Sequence, residues 1–149
     1  MPNNTKSHAE PVLDRRARRT RESLRVALMG LMADRGWDDI DVQTLCDRAD
    51  VGRSTFYQHY ANKEELLKGG FANLRAFLLD DAARHAELGP LAFLPGLLAH
   101  AQEAQGVFRA LLRRRSGQFV QDRFRELLVD LVQTSMAVAS RTDASSAAG

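Results

Sequence analysis

The segment from Arg53 to His59, read RSTFYQH, carries hydrogen-bonding side chains of the types that recognise DNA bases. Arginine can bond O6 and N7 of guanine, glutamine can bond N6 and N7 of adenine, and hydroxyl groups reach phosphate oxygens. If the segment is helical, Phe56 and Tyr60 lie four residues apart on one face and can turn into the protein. The other side chains then form an outer surface rich in donors and poor in aliphatic groups. This chemistry predicts a helix that enters the major groove of DNA.

A short helix is also predicted immediately before this segment. Asp41 is placed to cap its start, and apolar residues follow at spacings of three, four and seven. These apolar residues are Val42, Leu45, Cys46 and Ala49. Asp50 then stands at the helix end, where a left-handed conformation is often required, and Val51 can fill the angle between two helices. The two helices and their tight turn are predicted to form a helix-turn-helix unit.

A longer amphipathic helix is predicted upstream of this unit, from about Arg15 to Arg35. Its inward-facing residues follow the helical repeat and are Leu24, Ala27, Leu28, Leu31 and Met32. Trp37 and Ile40 are expected to close over the end of the small core. Residues 15–62 therefore form a predicted three-helix DNA-binding head.

Positive charge is concentrated at the start of this first helix. The whole chain has a formal net charge of +2, and residues 1–68 carry 12 Lys and Arg against 11 Asp and Glu. Six arginines fall within eleven residues, at Arg15, Arg16, Arg18, Arg19, Arg21 and Arg25. Such a cluster can contact phosphates from a helix, or from a flexible arm that becomes ordered on DNA, and its alternative is a solvated helix end. Phosphate contacts are predicted for Arg15, Arg16, Arg18 and Arg19, and residues 1–14 are predicted to be disordered.

The head is predicted to be joined by a long helix to a second helical region, residues 63–140. Asn62 and Glu65 have the spacing of a capping box at the start of that helix, and its apolar stripe continues until Leu88-Gly89-Pro90. The stripe consists of Leu66, Leu67, Phe71, Leu74, Phe77, Leu78 and Ala82. Lys63 lies in the first turn, where its charge and the free amides could together bind a phosphate.

Three further amphipathic helices are predicted, from near Ala92, after Gly106, and from Gln118 to Ala139. Their predicted inward-facing residues are Leu94, Leu97, Leu98 and Ala101, then Val107, Phe108, Leu111 and Leu112, then Val120, Phe124, Leu127, Leu128, Leu131 and Val132. Residues 141–149 are small and polar, which predicts a flexible tail.

Several functional classes find no support in the sequence. Cys46 is the only cysteine, so an intrachain disulfide is impossible. No apolar run approaches the ~20 residues needed to span a bilayer, and we expect a soluble, cytoplasmic protein. His8, His85 and His100 have no partners at metal-ligand spacing, and there is no phosphate loop, nucleophile elbow or HExxH motif. We therefore expect neither enzymatic activity nor a metal or other cofactor.

The run ADVGRSTFYQHYANKEELL, residues 49–67, resembles the DNA-binding domain of the TetR family of transcriptional regulators. The family pattern has an Ala-Gly-Val turn, a Thr-hydrophobic-Tyr core in the recognition helix, and a Lys-Glu-x-Leu start to the next helix. The resemblance covers about residues 15–68. It implies an all-α regulator, most often a repressor, that binds an operator as a homodimer and responds to a small-molecule effector. Family members commonly continue through two more long helices, so we expect either a shortened form or pairing through the last helix.

Individual residues can be matched to the family pattern. The resemblance implies base-edge contacts for Arg53, Ser54 and Gln58, a base or phosphate contact for Gln43, and backbone contacts for Thr55, Tyr57, His59 and Lys63. Two positions depart from the pattern. Asp50 replaces the usual turn glycine, and Gly52 replaces the usual Ser or Thr, which removes a hydroxyl cap.

A second interpretation stays open at the sequence level. Acidic residues surround the motif at Asp38, Asp39, Asp41, Asp47 and Asp50. They favour a helical interaction protein that keeps the helix-turn-helix scaffold but no longer reads DNA.

Overall fold

The computed structural model describes residues 9–113 and 116–148. Within these ranges the chain forms seven α-helices and two 3-10 segments and contains no β-strand, which confirms the predicted all-α fold. The α-helices are α1 (Ala9–Asp34), α2 (Val42–Ala49), α3 (Arg53–His59), α4 (Lys63–Ala82), α5 (Leu94–Glu103), α6 (Gln105–Leu112) and α7 (Gly117–Ala147). The 3-10 segments are Trp37–Asp39 and Ala83–Leu91.

The predicted head core is present. Leu24 and Leu31 of α1, Leu45 of α2, Phe56 of α3 and Leu66 of α4 are each at most 1% exposed. The five inward positions predicted for α1 are all buried, as are Trp37 and Ile40. These residues pack together because each helix places its apolar residues on a single face.

This core extends beyond the head. Val107 of α6 and Val120 of α7 are buried in the same cluster as the head residues. Trp37 stacks on Phe119 of α7, with ring centroids 5.8 Å apart and an interplanar angle of 13°. We predicted a boundary between the head and the second helical region at residues 62 and 63. The head core extends across this boundary, so it is shared by the two regions.

Helix α1 starts six residues earlier than predicted, at Ala9. The prediction of disorder was therefore wrong for residues 9–14, whereas residues 1–8 lie outside the described ranges. Pro11 was taken as a sign of disorder. It is the third residue of α1 as described, and proline is tolerated in the first turn of a helix, where backbone N–H groups have no acceptor within the helix.

Helix α4 ends at Ala82 rather than at Leu88. The chain continues as a 3-10 segment that leaves helical geometry twice, at His85 (φ −124°, ψ 35°) and at Gly89 (φ 57°, ψ −127°). The apolar stripe that predicted a longer helix stops being buried after Leu78.

Helix α7 continues to Ala147, so the predicted flexible tail is wrong for residues 141–147, and Gly149 is outside the described ranges. Ser140 Oγ donates to the carbonyl of Met136 (3.0 Å) and Thr142 Oγ1 to that of Val138 (3.1 Å). Alanine, which has the highest helix propensity, is frequent in this stretch. The two hydroxyl groups therefore bond within the helix, and the alanines favour its continuation.

A second buried cluster holds α4, α5 and α7 together and contains Leu78, Phe93, Leu97, Leu127 and Leu131. Three predicted inward residues are instead exposed: Phe77 (54%), Leu98 (64%) and Leu112 (82%). Phe77 adjoins the buried Leu78 and Leu98 adjoins the buried Leu97, and successive helical residues point about 100° apart, so one of each pair lies on the outer side. None of the helices in the described ranges is both long and apolar enough to cross a membrane.

Candidate nucleic-acid interface

The start of α2 is fixed by a side-chain cap. Asp41 accepts hydrogen bonds from the backbone N–H (2.7 Å) and the hydroxyl (2.8 Å) of Thr44. These two bonds hold the pKa of the Asp41 carboxyl below its usual value, because they stabilise the ionised form. The predicted capping role of Asp41 is therefore confirmed.

The turn between α2 and α3 has the predicted left-handed residue. Asp50 has φ 53° and ψ 50°, and it is the one residue other than glycine with positive φ in the described ranges. Its N–H bonds to the carbonyl oxygens that end α2. Gly52 then precedes α3 in an extended conformation (φ −68°, ψ 149°) and supplies no side-chain cap, as the substitution implied.

Helix α3 buries one face and exposes the other. Phe56 is completely buried, and Tyr60 is partly buried beside it with ring centroids 5.9 Å apart. Burial raises the pKa of the Tyr60 phenol, which the nearby positive charge of Arg21 opposes. Because Phe56 and Tyr60 fix the rotation of the helix, its remaining side chains line the outer surface.

The predicted base-reading side chains lie on this outer surface. Arg53, Ser54 and Gln58 are exposed. Among the predicted backbone contacts, Tyr57 is 49% exposed, whereas Thr55 and His59 are partly buried. The Tyr57 ring also meets Phe56 edge-on, at 5.2 Å between centroids, so it packs along the helix edge while staying accessible.

Gln43 is the second residue of α2 and is exposed. Its Nε2 donates to a carboxylate oxygen of Asp47 at 2.7 Å. The amide is therefore engaged within α2, and a contact with DNA requires one of its other hydrogen-bonding positions.

Lys63 lies in the first turn of α4, as predicted, and its ammonium group makes contacts within the head. Its Nζ donates to the carbonyl oxygens of Trp37 and Ile40, both at 2.8 Å, and lies over the Trp37 ring. The side chain therefore contacts both ends of the short 3-10 segment, since Trp37 begins that segment and Ile40 follows it. Lys63 is only partly buried and its ammonium group has a third N–H, so the predicted phosphate contact stays a prediction.

The arginine-rich part of α1 presents a row of charges. Arg15, Arg16, Arg18 and Arg19 are all exposed. Arg18 pairs with Asp14 at 3.5 Å, one helical turn away, which is a weak interaction at an exposed site. These residues belong to a regular helix, so the alternative of a flexible arm is wrong for them.

The acidic residues around the motif do not form one group. Asp41 caps α2 and Asp47 binds Gln43, which gives these two acids local structural roles. Asp38, Asp39 and Asp50 are exposed.

Burial raises the pKa of the Cys46 thiol, which keeps this residue an unreactive part of the core.

The fold and this surface define a helix-turn-helix protein. Residues 24–69 match the family model described as bacterial regulatory proteins, tetR family. The chain belongs to the TetR family of transcriptional regulators, as the sequence resemblance predicted.

Two relatives with curated names support this assignment. The chain is 42% identical over 60 residues to the uncharacterized HTH-type transcriptional regulator YxbF of Bacillus subtilis (strain 168), a match that covers 40% of this chain and 16% of that protein. It is 31% identical over 106 residues to the HTH-type transcriptional regulator TcmR of Streptomyces glaucescens, covering 70% of this chain and 42% of that protein. The matched part of the chain therefore spans less than half the length of either relative.

No ligand-binding residue was predicted from the sequence, but the structure contains a cavity of about 390 Å³ below the head. Helices α1, α4, α5, α6 and α7 all contribute to its walls. The available sequence signal was the presence of Phe71, Phe77, Phe108 and Phe124 in the predicted helices. That signal is indistinguishable from an ordinary core pattern until the helices are placed.

Proposed function

We propose that this protein is a ligand-responsive repressor that binds a pseudo-palindromic operator in double-stranded DNA. The observation that carries the proposal is the exposed surface of α3, where Arg53 and Gln58 are accessible on a helix whose other face is fixed by Phe56. A regulator that reads chromosomal DNA acts in the cytoplasm, which is the location we propose.

Each predicted contact is given a specific task in this proposal. Arg53, Ser54 and Gln58 read base edges, which carry the sequence information. Thr55, Tyr57 and His59 contact the phosphate backbone together with Gln43 at the edge of α2. Arg15, Arg16, Arg18 and Arg19 contribute charge from α1 to neighbouring phosphates.

We further propose that two copies of the chain bind one operator. Recognition helices related by two-fold symmetry reach successive major grooves, so half-sites should lie about 34 Å apart or at a multiple of that spacing. Helix α7 exposes Val129 (49%), Met136 (53%) and Val138 (50%), which supports α7 as part of the surface between the copies.

Responsiveness to a small molecule is supported by the cavity. Its volume of about 390 Å³ falls within the range of about 300–1,000 Å³ that is typical of ligand sites. Four residues of α1 line it, Arg25, Leu28, Met29 and Met32. Because α1 also carries the arginine cluster, an occupied cavity can bias the position of the DNA-binding head.

The proposal is tested with the double variant Arg53→Ala, Gln58→Ala. Binding to duplexes from the protein's own upstream region is measured by fluorescence anisotropy against scrambled duplexes of equal length. Loss of two base contacts should reduce discrimination by about 10- to 1,000-fold. A matched control is Gln102→Ala, Arg109→Ala, which removes an exposed glutamine and arginine from α5 and α6. Unchanged discrimination in the Arg53 and Gln58 variant would contradict base reading by α3.

The alternative is a helical interaction protein that keeps the scaffold without reading DNA. It is favoured by the exposed acids Asp38, Asp39 and Asp50 around the motif, since negative charge repels phosphates. Equal affinity of the native chain for every duplex in the same titration, with no dependence on Arg53 or Gln58, would support this alternative.

A further inference from the structure

The cavity beneath the head has an aromatic lining with a few polar groups. Phe124 of α7 lies 6.5 Å from Phe71 of α4 and 5.7 Å from Phe108 of α6, measured between ring centroids. His100 of α5 meets Phe108 edge-on at 6.1 Å. Phe77 lines the same cavity and is 54% exposed. Rings presented from three helices favour a flat, largely apolar ligand.

The cavity is open space that the chain itself does not fill. Gly70 of α4 belongs to its wall, and a Cβ atom added there would meet no other atom within 4 Å. A larger side chain at this position would therefore extend into the cavity without displacing the surrounding backbone.

Arg25 is the arginine of the α1 cluster that lines the cavity. Its Nε and Nη2 atoms donate to the two carboxylate oxygens of Glu22, at 3.0 and 2.5 Å. This pair occupies one edge of the guanidinium group. The edge formed by Nη1 and Nη2 keeps donors for a second carboxylate, and the bond to Glu22 holds the group in a fixed orientation.

His100 and Glu103, two of the three other polar residues in the lining, limit the choice of ligand. Burial lowers the pKa of His100, so the imidazole is neutral near pH 7 and offers one donor and one acceptor. Glu103 also lines the cavity, but it is exposed, whereas Arg25 is partly buried. Water and salt therefore screen the attraction of Glu103 for a cation more strongly than the attraction of Arg25 for an anion.

We infer that this cavity binds a small aromatic molecule with one anionic group, and that Arg25 of α1 pairs with that group. The inference rests on the proposed function in taking the cavity to be a ligand site. It adds the ligand's chemical class and assigns its recognition to a residue of the DNA-binding head.

The experiment compares two fluorescent probes that differ in charge. The anionic probe is 1-anilinonaphthalene-8-sulfonate, and its neutral counterpart is N-phenyl-1-naphthylamine, which lacks the sulfonate. Arg25→Gln should weaken binding of the anionic probe by about 10-fold or more, because a charge-assisted hydrogen bond is lost, and should change binding of the neutral probe by less than about twofold. Arg25→Lys keeps the positive charge but loses the planar, multiple-donor guanidinium group. It should therefore weaken binding of the anionic probe by an intermediate amount.

Two further variants control for position. Gly70→Leu should weaken both probes, because its side chain fills the cavity. Glu103→Gln removes the opposite charge from the same wall and should leave both affinities within about twofold. Circular dichroism verifies that each variant stays helical.

Three results would each overturn the inference. The first two are that Arg25→Gln weakens binding of both probes equally, or weakens binding of neither. The third is that Glu103→Gln, instead of Arg25→Gln, changes the affinity for the anionic probe. Failure of the native protein to bind the anionic probe would also overturn it. Operator binding is measured in a separate titration without probe. Loss of operator recognition with intact, Arg25-dependent probe binding would reject the proposed function and retain the ligand site.

Discussion

The ammonium nitrogen of Lys63 lies 4.4 Å from the centre of the Trp37 ring, at the junction between the head and the rest of the molecule. The same nitrogen donates to the carbonyl oxygens of Trp37 and Ile40. On its other side, Trp37 stacks on Phe119 of α7. Lys63 therefore joins the start of α4 to the 3-10 segment after α1, and that segment contacts α7.

Replacing Lys63 by Met should destabilise the protein by about 1–3 kcal/mol, because two charge-assisted hydrogen bonds and a cation–π contact are lost. Urea unfolding followed by circular dichroism measures this change. Lys68→Met is the matched control, since Lys68 lies on the same helix and makes an exposed pair with Glu65 at 3.4 Å. Equal, small effects of the two substitutions would contradict a structural role for Lys63.

The arginines at the start of α1 should govern the salt dependence of DNA binding. Replacing Arg15, Arg16, Arg18 and Arg19 by Gln should reduce the slope of log affinity against log salt by about 3–4 for each bound copy of the chain, since each phosphate contact contributes roughly 0.9. Anisotropy titrations between low and physiological salt give the slope. The control variant replaces the exposed arginines Arg84, Arg109, Arg125 and Arg141, which belong to other elements. A slope that falls equally in both variants would show general charge attraction instead of contacts from α1.

The sequence predicted the head well because its signals are local. Asp41 caps α2 through Thr44, Asn62 caps α4 by accepting from Glu65 N at 2.9 Å, and Asp50 has the left-handed conformation. Each of these features depends on residues within a few positions of one another. The outward surface of α3 followed from the positions of Phe56 and Tyr60, which lie four residues apart.

Long-range features could not be predicted in the same way. The contact of Lys63 with Trp37 joins residues 26 positions apart, and the head core includes Val107 and Val120 from distant helices. The exposure of Leu98 and Leu112 depends on which face of α5 and α6 meets a neighbour. Apolar periodicity identifies a helix but does not select its partner.

His100 should make stability depend on pH. Its pKa is lowered in the folded state, chiefly by burial, so the unfolded chain binds the proton more readily. The contribution of this group is present above its ordinary value of about 6.5 and is lost as the pH falls towards the folded pKa. Urea unfolding at several pH values should show a smaller loss of stability below pH 6.5 in His100→Gln than in the native chain. His85→Gln is the control, and an equal reduction in both variants would contradict the assignment to His100.

Two glycine-to-alanine substitutions should shift stability in opposite directions. At Gly70 an added Cβ meets nothing within 4 Å, so alanine should stabilise α4 by about 0.5–1 kcal/mol through its higher helix propensity. At Gly106 the added Cβ would lie 2.7 Å from the Cβ of Ala33, and α6 must move away from α1. That displacement should outweigh the gain in propensity and destabilise the protein by about 1–3 kcal/mol. The double variant Ala33→Gly, Gly106→Ala removes the clash and should recover most of the loss at Gly106, because the two positions then exchange their methyl group. If urea unfolding showed no recovery, the close approach of α1 and α6 would not explain the requirement for glycine.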